Sequence, residues 1–274
     1  MSASFARTLI QQLHLETSRS ITLIGAGGKT TLLYALSTAL AQKENTLLTT
    51  TTHIMEPRDL PGAVLITKED RDALATAFRT SRLVALGIPV SKNRFCSNAH
   101  VSADLSSASP KTATPKWASP SLSFLRKIRD IPSRIVCEGD GSRRLPVKIP
   151  REGEPVFFPG TDTVIGVIGL SCLGQSARDC LFGWDPDVTR PGFPELRVAL
   201  AESHGRITPS ILTHIALSPE GLSKQTDVRH LRVLFNQADC LSESALRDMQ
   251  KEAQKIRDNG VCCHIVSLKQ KILY

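Results

Sequence analysis

Aromatic residues are scarce in this sequence: phenylalanine, tryptophan and tyrosine together make up 5% of its 274 residues. Proteins that bind single-stranded nucleic acid stack the bases on aromatic side chains, so this scarcity argues against that class. No known DNA- or RNA-reading motif is present, although the formal net charge is +8. We therefore expect an anionic ligand or partner, and we do not expect nucleic acid to be the main one.

The cysteines lack the spacing of a metal site or a disulfide framework. Their number is seven, which is odd, and no C-x-x-C is present. This usage favours the reducing cytoplasm. No apolar run reaches the ~18 residues that a membrane span needs, and the N-terminal segment is typical of a short amphipathic helix rather than of a signal peptide. The sequence thus predicts a cytoplasmic protein without a membrane partner.

Apolar runs alternate with helical patterns along most of the chain. Residues 21–25 predict a buried strand, residues 30–42 a helix and residues 46–52 a second strand. This order opens a doubly wound, mainly parallel α/β sheet, which we expect to have about six or seven strands within a single domain over residues 1–274. Residues 89–123 are rich in Ser and Pro and lack periodicity, so they predict a flexible insertion that Trp117 anchors in part.

The stretch ITLIGAGGKTTLL, residues 21–33, joins the first strand to the helix. Glycines let a backbone approach a phosphate closely, and a helix N-terminus supplies unpaired N–H groups. In the pattern G-x-x-x-x-G-K-[ST] the lysine reaches the β- and γ-phosphates and the hydroxyl ligates Mg²⁺. This loop is two residues shorter than that pattern, because Leu23 occupies the position of the first glycine. We predict a P-loop NTPase-like nucleotide site formed by Gly25, Gly27, Gly28, Lys29, Thr30 and Thr31.

Two other interpretations apply to this stretch. It would also suit a glycine-rich turn with a surface lysine and a capping threonine. A dinucleotide-binding turn would start at Gly25 and Gly27, but it needs a third glycine where Thr30 stands. It also needs an acidic residue ~20 residues later, where the chain has only threonines. The order of strand, glycines, Lys-Thr-Thr and helix favours the phosphate loop.

Threonines and a histidine end the second predicted strand, in TTTTHI at residues 49–54. The carboxyl ends of parallel strands form the ligand edge of such a sheet. We therefore predict that Thr51, Thr52 and His53 sense a γ-phosphate or position water, and that Lys29, Thr52 and His53 are the catalytic residues. The alternative is that these threonines are present only because β-branched residues favour the β-strand conformation.

Two acidic residues follow the predicted strand at 134–138. Carboxylates beside a phosphate loop are usual ligands of Mg²⁺ or of its waters. We predict a metal site formed by Thr30, Glu138 and Asp140, with Arg143 and Lys148 contributing to anion binding. The alternative is a surface turn, since Asp-Gly is a strong turn dipeptide.

The segment VLFNQAD, residues 233–239, ends another predicted strand. It is similar to the N-K-x-D element of GTP-binding proteins, where the aspartate contacts guanine and the lysine stem packs on the base. Here Gln237 replaces the lysine, so ATP and GTP both remain open. We predict that Asn236 and Asp239 contact the nucleotide; the alternative is a strand end before a helix cap at Ser242.

Several of these segments occur together in a known family. GAGGKTTLL, TTTTHIMEP, CEGDGSRRLPVKIPREGEPV, TVIGVIGLSCLG, PEGLSK and NQAD appear in the order seen in the YqeC family, which the chain resembles over most of residues 15–240. The block from Glu138 through Lys148 is the most specific part. Gln237 and the Ser/Pro-rich residues 97–123 depart from the family pattern.

The resemblance implies an accessory, or maturation, protein for selenium-dependent molybdenum hydroxylases. We expect it to bind Mg²⁺ with ATP or GTP, to be a slow Mg-dependent NTPase, and to act on the hydroxylase or its cofactor-insertion machinery. One alternative is a non-hydrolysing carrier of a phosphate-containing molybdopterin-type cofactor. Another is a scaffold whose basic surface docks an acidic partner.

Overall fold

The computed structural model describes residues 3–58, 60–90, 116–184 and 194–274 of the chain. The strands are β1 Ser20–Gly25, β2 Thr46–Thr50, β3 His53–Met55, β4 Ala63–Ile66, β5 Leu83–Leu86, β6 Ile88–Pro89, β7 Lys116–Ala118, β8 Arg134–Glu138, β9 Val147–Lys148, β10 Thr163–Gly169, β11 Leu181–Phe182, β12 Leu231–Asn236, β13 Cys262–Ser267 and β14 Ile272–Leu273. The helices are α1 Ala3–Gln12, α2 Lys29–Leu40, α3 Arg71–Thr80, α4 Leu122–Ile128, α5 Ala177–Cys180, α6 Pro194–Glu202, α7 Pro209–Leu217 and α8 Glu243–Asp258.

The main sheet has nine strands in the order β14-β13-β12-β10-β1-β8-β2-β5-β4. Neighbouring strands are parallel, apart from the antiparallel pair of β13 and β14. The predicted mainly parallel α/β class is confirmed, and the architecture is compatible with a P-loop NTPase-like fold. The expected strand number of about six or seven is too low, in part because β14 has only two residues and leaves no periodic signal.

Helices cover both faces of this sheet because side chains along a strand point alternately to opposite sides. On one face, Leu23 of β1 belongs to a buried cluster with Leu32 and Leu36 of α2. On the other, the next residue, Ile24, belongs to a cluster with Ile211 of α7 and other residues of α7 and α8. Both faces of β1 are therefore buried, which explains its continuous apolar run.

The carboxyl ends of the central strands meet at one edge of the sheet. Glu138 of β8 lies level with Leu23 of β1 and with Thr50 of β2. On the other side of β1, Gly169 of β10 lies level with Asn236 of β12. After β1 the chain continues to β2 on one side, whereas after β10 it continues to β12 on the other. Ligands of open α/β sheets bind at such a switch point.

A small antiparallel sheet, β3-β7-β6, follows the ends of β2 and β5. Regular structure at both ends of residues 89–123 is part of this small sheet or follows it, within the range that was expected to be a Ser/Pro-rich insertion. Residues 91–115 lie outside the described residues, but β6, β7 and the start of α4 occupy the two ends of that range. Trp117 of β7 is fully buried, and a Cβ on Gly87 would lie 2.4 Å from its ring. This packing orders the segment from residue 116 onward despite its composition.

Within the described residues, no helix combines the length and the apolar character needed to cross a membrane.

Candidate functional site

The predicted phosphate loop connects β1 to α2, and Gly28 is the N-cap of that helix. Its glycines are required by contacts and by conformation. Gly27 has a φ of 81°, and a Cβ there would lie 2.3 Å from the backbone nitrogen of Gly169. Gly28 has a φ of 129°, and a Cβ there would lie 2.4 Å from Nδ2 of Asn236. The loop is thus packed directly against the ends of β10 and β12.

Asn236 braces this loop instead of pointing freely toward a ligand. Its Nδ2 donates to the carbonyl of Gly27 at 2.7 Å, and its Oδ1 accepts from the backbone N–H of Leu268 at 3.0 Å. The residue is buried at the last position of β12. One amide side chain therefore joins the phosphate loop to the segment that follows β13.

Lys29 is buried beneath the loop, although it is the first residue of α2. Its Nζ donates to the carbonyl of Gly25 at 2.5 Å. The same atom lies 3.2 Å from Asp140 Oδ1 and 3.9 Å from Glu138 Oε1. Because a buried ammonium group is costly unless it is paired, these two carboxylates account for its position.

A second buried lysine completes the cluster. Lys148 Nζ lies 3.4 Å from Asp140 Oδ2 and 2.7 Å from Glu154 Oε2, and it donates to the carbonyl of Gly141 at 2.7 Å. Asp140 Oδ2 also accepts from the backbone N–H of Gly25 at 3.0 Å. Asp140 therefore lies between the two lysines and holds the start of the phosphate loop in place.

Glu138 is the most perturbed acid of the cluster. Burial raises the pKa of its carboxyl group to about 7, against the opposing effects of Lys29 and of a hydrogen bond from Thr30 Oγ1 to Oε2 at 2.9 Å. Tyr34 of α2 lies in the same environment, where burial and the Glu138 charge raise the pKa of its hydroxyl to about 12. Burial therefore disfavours the ionised form of Glu138, and a nearby cation would favour that form.

The oxygen atoms at this end of the loop fit a Mg²⁺ ion. Such an ion usually binds one or two carboxylates together with waters and substrate phosphates. Thr30, Glu138 and Asp140 supply the oxygens. The buried Asp140 Oδ1 has the Lys29 ammonium at 3.2 Å but no hydrogen bond within the described residues. That part of the chain holds no group of three or more His, Cys, Asp or Glu arranged to bind a metal. Thr30, Glu138 and Asp140 thus bring side-chain oxygens together beside Lys29.

The threonines after β2 have mainly structural contacts. The hydroxyls of Thr50 and Thr51 both donate to the Glu138 carbonyl, at 3.0 and 3.3 Å. The single hydroxyl proton of Thr51 is shared with the Val156 carbonyl, which is the closer acceptor at 2.5 Å. Thr52 is partly buried and its hydroxyl lies near Gly141, whereas His53 is exposed on β3. Of the residues expected to position water, Thr51 is bonded to the backbone of Glu138, Thr52 lies beside Gly141, and His53 is exposed.

Two predicted anion contacts lie at the surface. Thr31 is exposed on α2, one residue beyond Thr30. Arg143 is exposed with a φ of 50°, and its guanidinium carbon lies 5.7 Å from the centre of the Phe182 ring. Unlike Lys148, neither residue has a place in the buried cluster.

Asp239 follows β12 in the short 3₁₀ turn Ala238–Cys240. Its Oδ1 accepts from Ser267 Oγ at 2.7 Å, and its Oδ2 lies 3.9 Å from Lys269 Nζ. Gln237, which stands where GTP-binding proteins carry a lysine, accepts a hydrogen bond from Ser171 at 2.8 Å. Asp239 thus lies at the same sheet edge as the phosphate loop.

The sequence interpretation did not identify Glu154 or Ser267. Glu154 lies six residues after Lys148, inside the segment CEGDGSRRLPVKIPREGEPV, but nothing in that segment marks it as the partner of a buried lysine. Ser267 is separated from Asp239 by 28 residues and lies in no recognisable pattern. The sequence therefore gave no signal for these two contacts.

Comparison with known proteins agrees with this arrangement of segments. The model of the YqeC protein family matches residues 21–185, which include the phosphate loop and the acidic cluster. A curated relative from Escherichia coli strain K12, the uncharacterized protein YqeC, is 34% identical over 155 residues. The match covers 56% of this chain and 53% of the relative, so it spans about half of the relative's length.

Proposed function

This chain belongs to the YqeC family, and we propose that it binds the phosphates of a nucleoside triphosphate together with Mg²⁺ at the loop between β1 and α2. The observation that carries the proposal is the position of Lys29. Its ammonium group is buried under a glycine loop, on the Gly25 carbonyl and between Asp140 and Glu138. In this position the positive charge lies at the first residue of α2, where a bound phosphate would also meet the N–H groups of the helix start.

Phosphate binding would exchange partners within this cluster. Lys29 would leave the Gly25 carbonyl for a phosphate oxygen, and the N–H groups at the start of α2 would add the positive end of the helix dipole. Asp140 would keep the loop in place through the Gly25 N–H, and Lys148 would retain Asp140 and Glu154. The same carboxylates that pair with Lys29 in the free protein would then be available to a cation.

Thr30, Glu138 and Asp140 are the residues that would hold Mg²⁺. When bound, the ion would neutralise charge on the phosphate oxygens. Thr30 already donates its hydroxyl proton to Glu138, which fixes the two oxygens 2.9 Å apart.

Hydrolysis would be slow in this proposal. The loop is two residues shorter than the usual pattern and therefore offers fewer N–H groups to surround a β-phosphate. Thr52 lies beside Gly141 and would position water, and His53 is exposed on β3 nearby. Catalysis would rest on positioning and electrostatics, as in other phosphoryl transfers.

The cellular role that the family resemblance implies is also part of this proposal: maturation of a selenium-dependent molybdenum hydroxylase, with the hydroxylase or its cofactor-insertion machinery as partner. The short loop favours one second candidate, a non-hydrolysing carrier of a phosphate-containing molybdopterin-type cofactor. A loop with few N–H groups suits a single phosphate at least as well as a triphosphate.

Titration calorimetry of Mg-GTP and Mg-ATP with the wild type and with Lys29→Met tests the binding proposal. Methionine keeps most of the buried stem but removes the charge. Because hydrogen bonds to charged groups contribute about 1.5–3 kcal/mol, we expect at least tenfold weaker binding.

The matched control is Lys127→Met on the exposed face of α4, which should bind like the wild type. Unfolding curves without ligand show whether Lys29→Met is folded. A folded Lys29→Met with unchanged affinity would overturn the proposal.

A further inference from the structure

A cavity of about 290 Å³ opens at the edge of the sheet opposite to the phosphate loop. Two of its lining residues, Asp162 and His230, directly precede β10 and β12. The last residues of the same strands, Gly169 and Asn236, contact the phosphate loop. Since β10 has seven residues, each rising ~3.3 Å, its two ends are roughly 20 Å apart. The cavity is therefore separate from the candidate phosphate site.

The lining of this cavity combines apolar rings with acidic side chains. Phe158 is buried and Phe157 is partly buried, and both line the cavity. Asp162 and Asp227 contribute carboxylates to the same lining. Among the described residues, no lysine or arginine lines it. An anion would therefore meet negative charge here, whereas a cation would meet acceptors beside an apolar wall.

The two carboxylate oxygens of Asp162 differ in their partners. Oδ2 accepts from the backbone N–H groups of Arg19 and Ser20, at 2.8 and 3.0 Å. Oδ1 is buried and has no hydrogen bond within the described residues. A buried acceptor without a partner destabilises the folded chain unless a ligand supplies the donor. One oxygen thus fixes the orientation of the carboxylate, and the other remains for a donor.

His230 adds a second acceptor to the cavity. Its Nδ1 lies 2.7 Å from the backbone carbonyl of Asp162. Because a carbonyl oxygen can only accept, Nδ1 carries the proton, and Nε2 of the neutral ring is an acceptor. Asp227 is less available, since Arg229 donates to its Oδ1 at 3.1 Å and to its Oδ2 at 2.9 Å. Asp162 is therefore the main acceptor that this cavity offers to a ligand.

An organic cation fits this lining better than a metal ion does. Within the part of the chain that the structure describes, no group of three or more His, Cys, Asp or Glu is arranged to hold a metal. Pockets for small organic ligands combine apolar walls with a few polar groups, and their volumes are about 300–1,000 Å³. This cavity lies at the lower end of that range, which indicates a small ligand.

We propose that the cavity binds a small organic cation. Its guanidinium or primary ammonium group donates to Asp162, with His230 as a second acceptor, and its apolar stem packs on Phe157. Hydrogen bonds between a cationic donor and a carboxylate are about twice as strong as those between neutral groups. This binding does not involve the phosphate loop, so it is independent of the proposed nucleotide site.

The test measures dissociation constants of butylguanidinium, butylammonium and butylurea by NMR titration of the ¹⁵N-labelled protein. Butylurea has nearly the shape of butylguanidinium, but it is neutral and has a carbonyl oxygen in place of one NH₂ group. At least one of the two cations should bind tenfold or more tightly than butylurea. The amide signals of Arg19 and Ser20 should shift on binding, because these groups donate to the same carboxylate.

The Asp162→Asn variant removes the acceptor that the proposal requires. The oxygen of asparagine can still accept from Arg19 and Ser20, while an NH₂ group replaces the oxygen that has no hydrogen bond. Affinity for the cation should fall at least tenfold, and affinity for butylurea should change little. Asp248→Asn, on the exposed face of α8, removes the same charge and should bind all three probes like the wild type.

A second variant keeps the test decisive if Asp162→Asn does not fold. Gln225 is exposed and lines the cavity, so Gln225→Lys adds positive charge there without altering a buried side chain. It should weaken binding of the cations and leave butylurea unaffected. Gln250→Lys, at an exposed position of α8, is its control and should have no effect.

The comparison of the probes decides the proposal. Tighter binding of either cation than of butylurea, lost in the folded cavity variant, supports it, and the tighter cation names the group that the cavity takes. Equal affinities for the three probes would show that the Asp162 carboxylate is only hydrated, and the proposal would be overturned. Cation binding that is unchanged in a folded Asp162→Asn or Gln225→Lys protein would overturn it as well.

Discussion

At the scale of single residues, the charged cluster beneath the loop has more acids than it needs to neutralise two lysines. Asp140 and Glu154 already pair closely with Lys29 and Lys148. Glu138 lies farther from Lys29, at 3.9 Å, and its buried carboxyl has a pKa near 7. In the free protein, the ionisation of Glu138 therefore costs free energy that its contact with Lys29 does not fully offset.

This cost predicts a specific pH dependence of stability. The pKa of Glu138 is about 7 in the folded state and near 4.5 in the unfolded state. Its contribution to the free energy of unfolding is therefore most favourable below pH 4.5, and it is lost as the pH rises to 7. The loss should approach roughly 3 kcal/mol by pH 8. Glu138→Gln cannot ionise. In metal-free buffer its unfolding free energy should therefore fall less than that of the wild type between pH 5 and pH 8, as measured by urea unfolding.

Glu152→Gln is the control for this comparison because Glu152 is exposed. It should follow the wild-type pH profile. Parallel profiles for Glu138→Gln and the wild type would show that Glu138 ionises without hindrance, and the account of the cluster would then fail.

Residue types and spacing allowed several of these side chains to be predicted, and the structure explains the limits. Lys29, Thr30, Glu138 and Asp140 were selected because they lie at strand ends or at a helix start, and they do lie together. That they bind phosphate and metal stays a prediction. Asn236 was expected to contact the nucleotide, but its amide is engaged by Gly27 and Leu268, a pairing that sequence spacing cannot reveal.

At the scale of elements, the phosphate loop is shaped by its contacts with β10 and with the loop after β8. A Cβ on Gly27 would lie 2.3 Å from the Gly169 nitrogen and 2.8 Å from the Pro146 carbonyl. Because both contacts are backbone atoms, no side chain can rotate away to make room. The short loop is therefore a rigid element that depends on neighbouring strand ends.

Gly27→Ala should destabilise the protein strongly. Overpacking costs about 1–3 kcal/mol, and a positive φ adds strain of about 1 kcal/mol or more. Gly62→Ala is the matched control, since Gly62 has a φ of 75° but nothing within 4 Å of an added Cβ. Denaturant midpoints should show a clearly larger loss of stability for Gly27→Ala than for Gly62→Ala. Equal losses would mean that the backbone around Gly27 can shift to accept a Cβ.

Short elements were the hardest to predict. The strand β7 falls in a segment whose composition predicted a flexible insertion anchored in part by Trp117. Trp117 is indeed buried, but the pairing of β7 with β3 and β6 was not predicted. A single large aromatic side chain outweighs several residues of weak propensity because it buries much apolar area. Such a gain depends on the pocket that receives it, which a local pattern does not contain.

At the scale of the whole molecule, periodicity was sufficient for the architecture. The alternation of apolar strands such as β1 and β10 with amphipathic helices predicted a mainly parallel sheet, and the nine-stranded order confirms that class. The order of strands could not be read from periodicity, since β8 inserts between β1 and β2 although it follows them by many residues. This insertion brings Glu138 and Asp140 next to the phosphate loop.

The central claim concerns the whole molecule, because a ligand that binds only the folded state stabilises all of it. At a concentration 100 times its dissociation constant, Mg-GTP should add about 2.7 kcal/mol, which corresponds to a rise in Tm of about 5–10 °C for a chain of this size. Thermal unfolding of the wild type and of Lys29→Met, each with and without Mg-GTP, measures this directly. The account predicts a rise for the wild type and little or none for Lys29→Met. Equal shifts in both proteins, or none in the wild type, would contradict it.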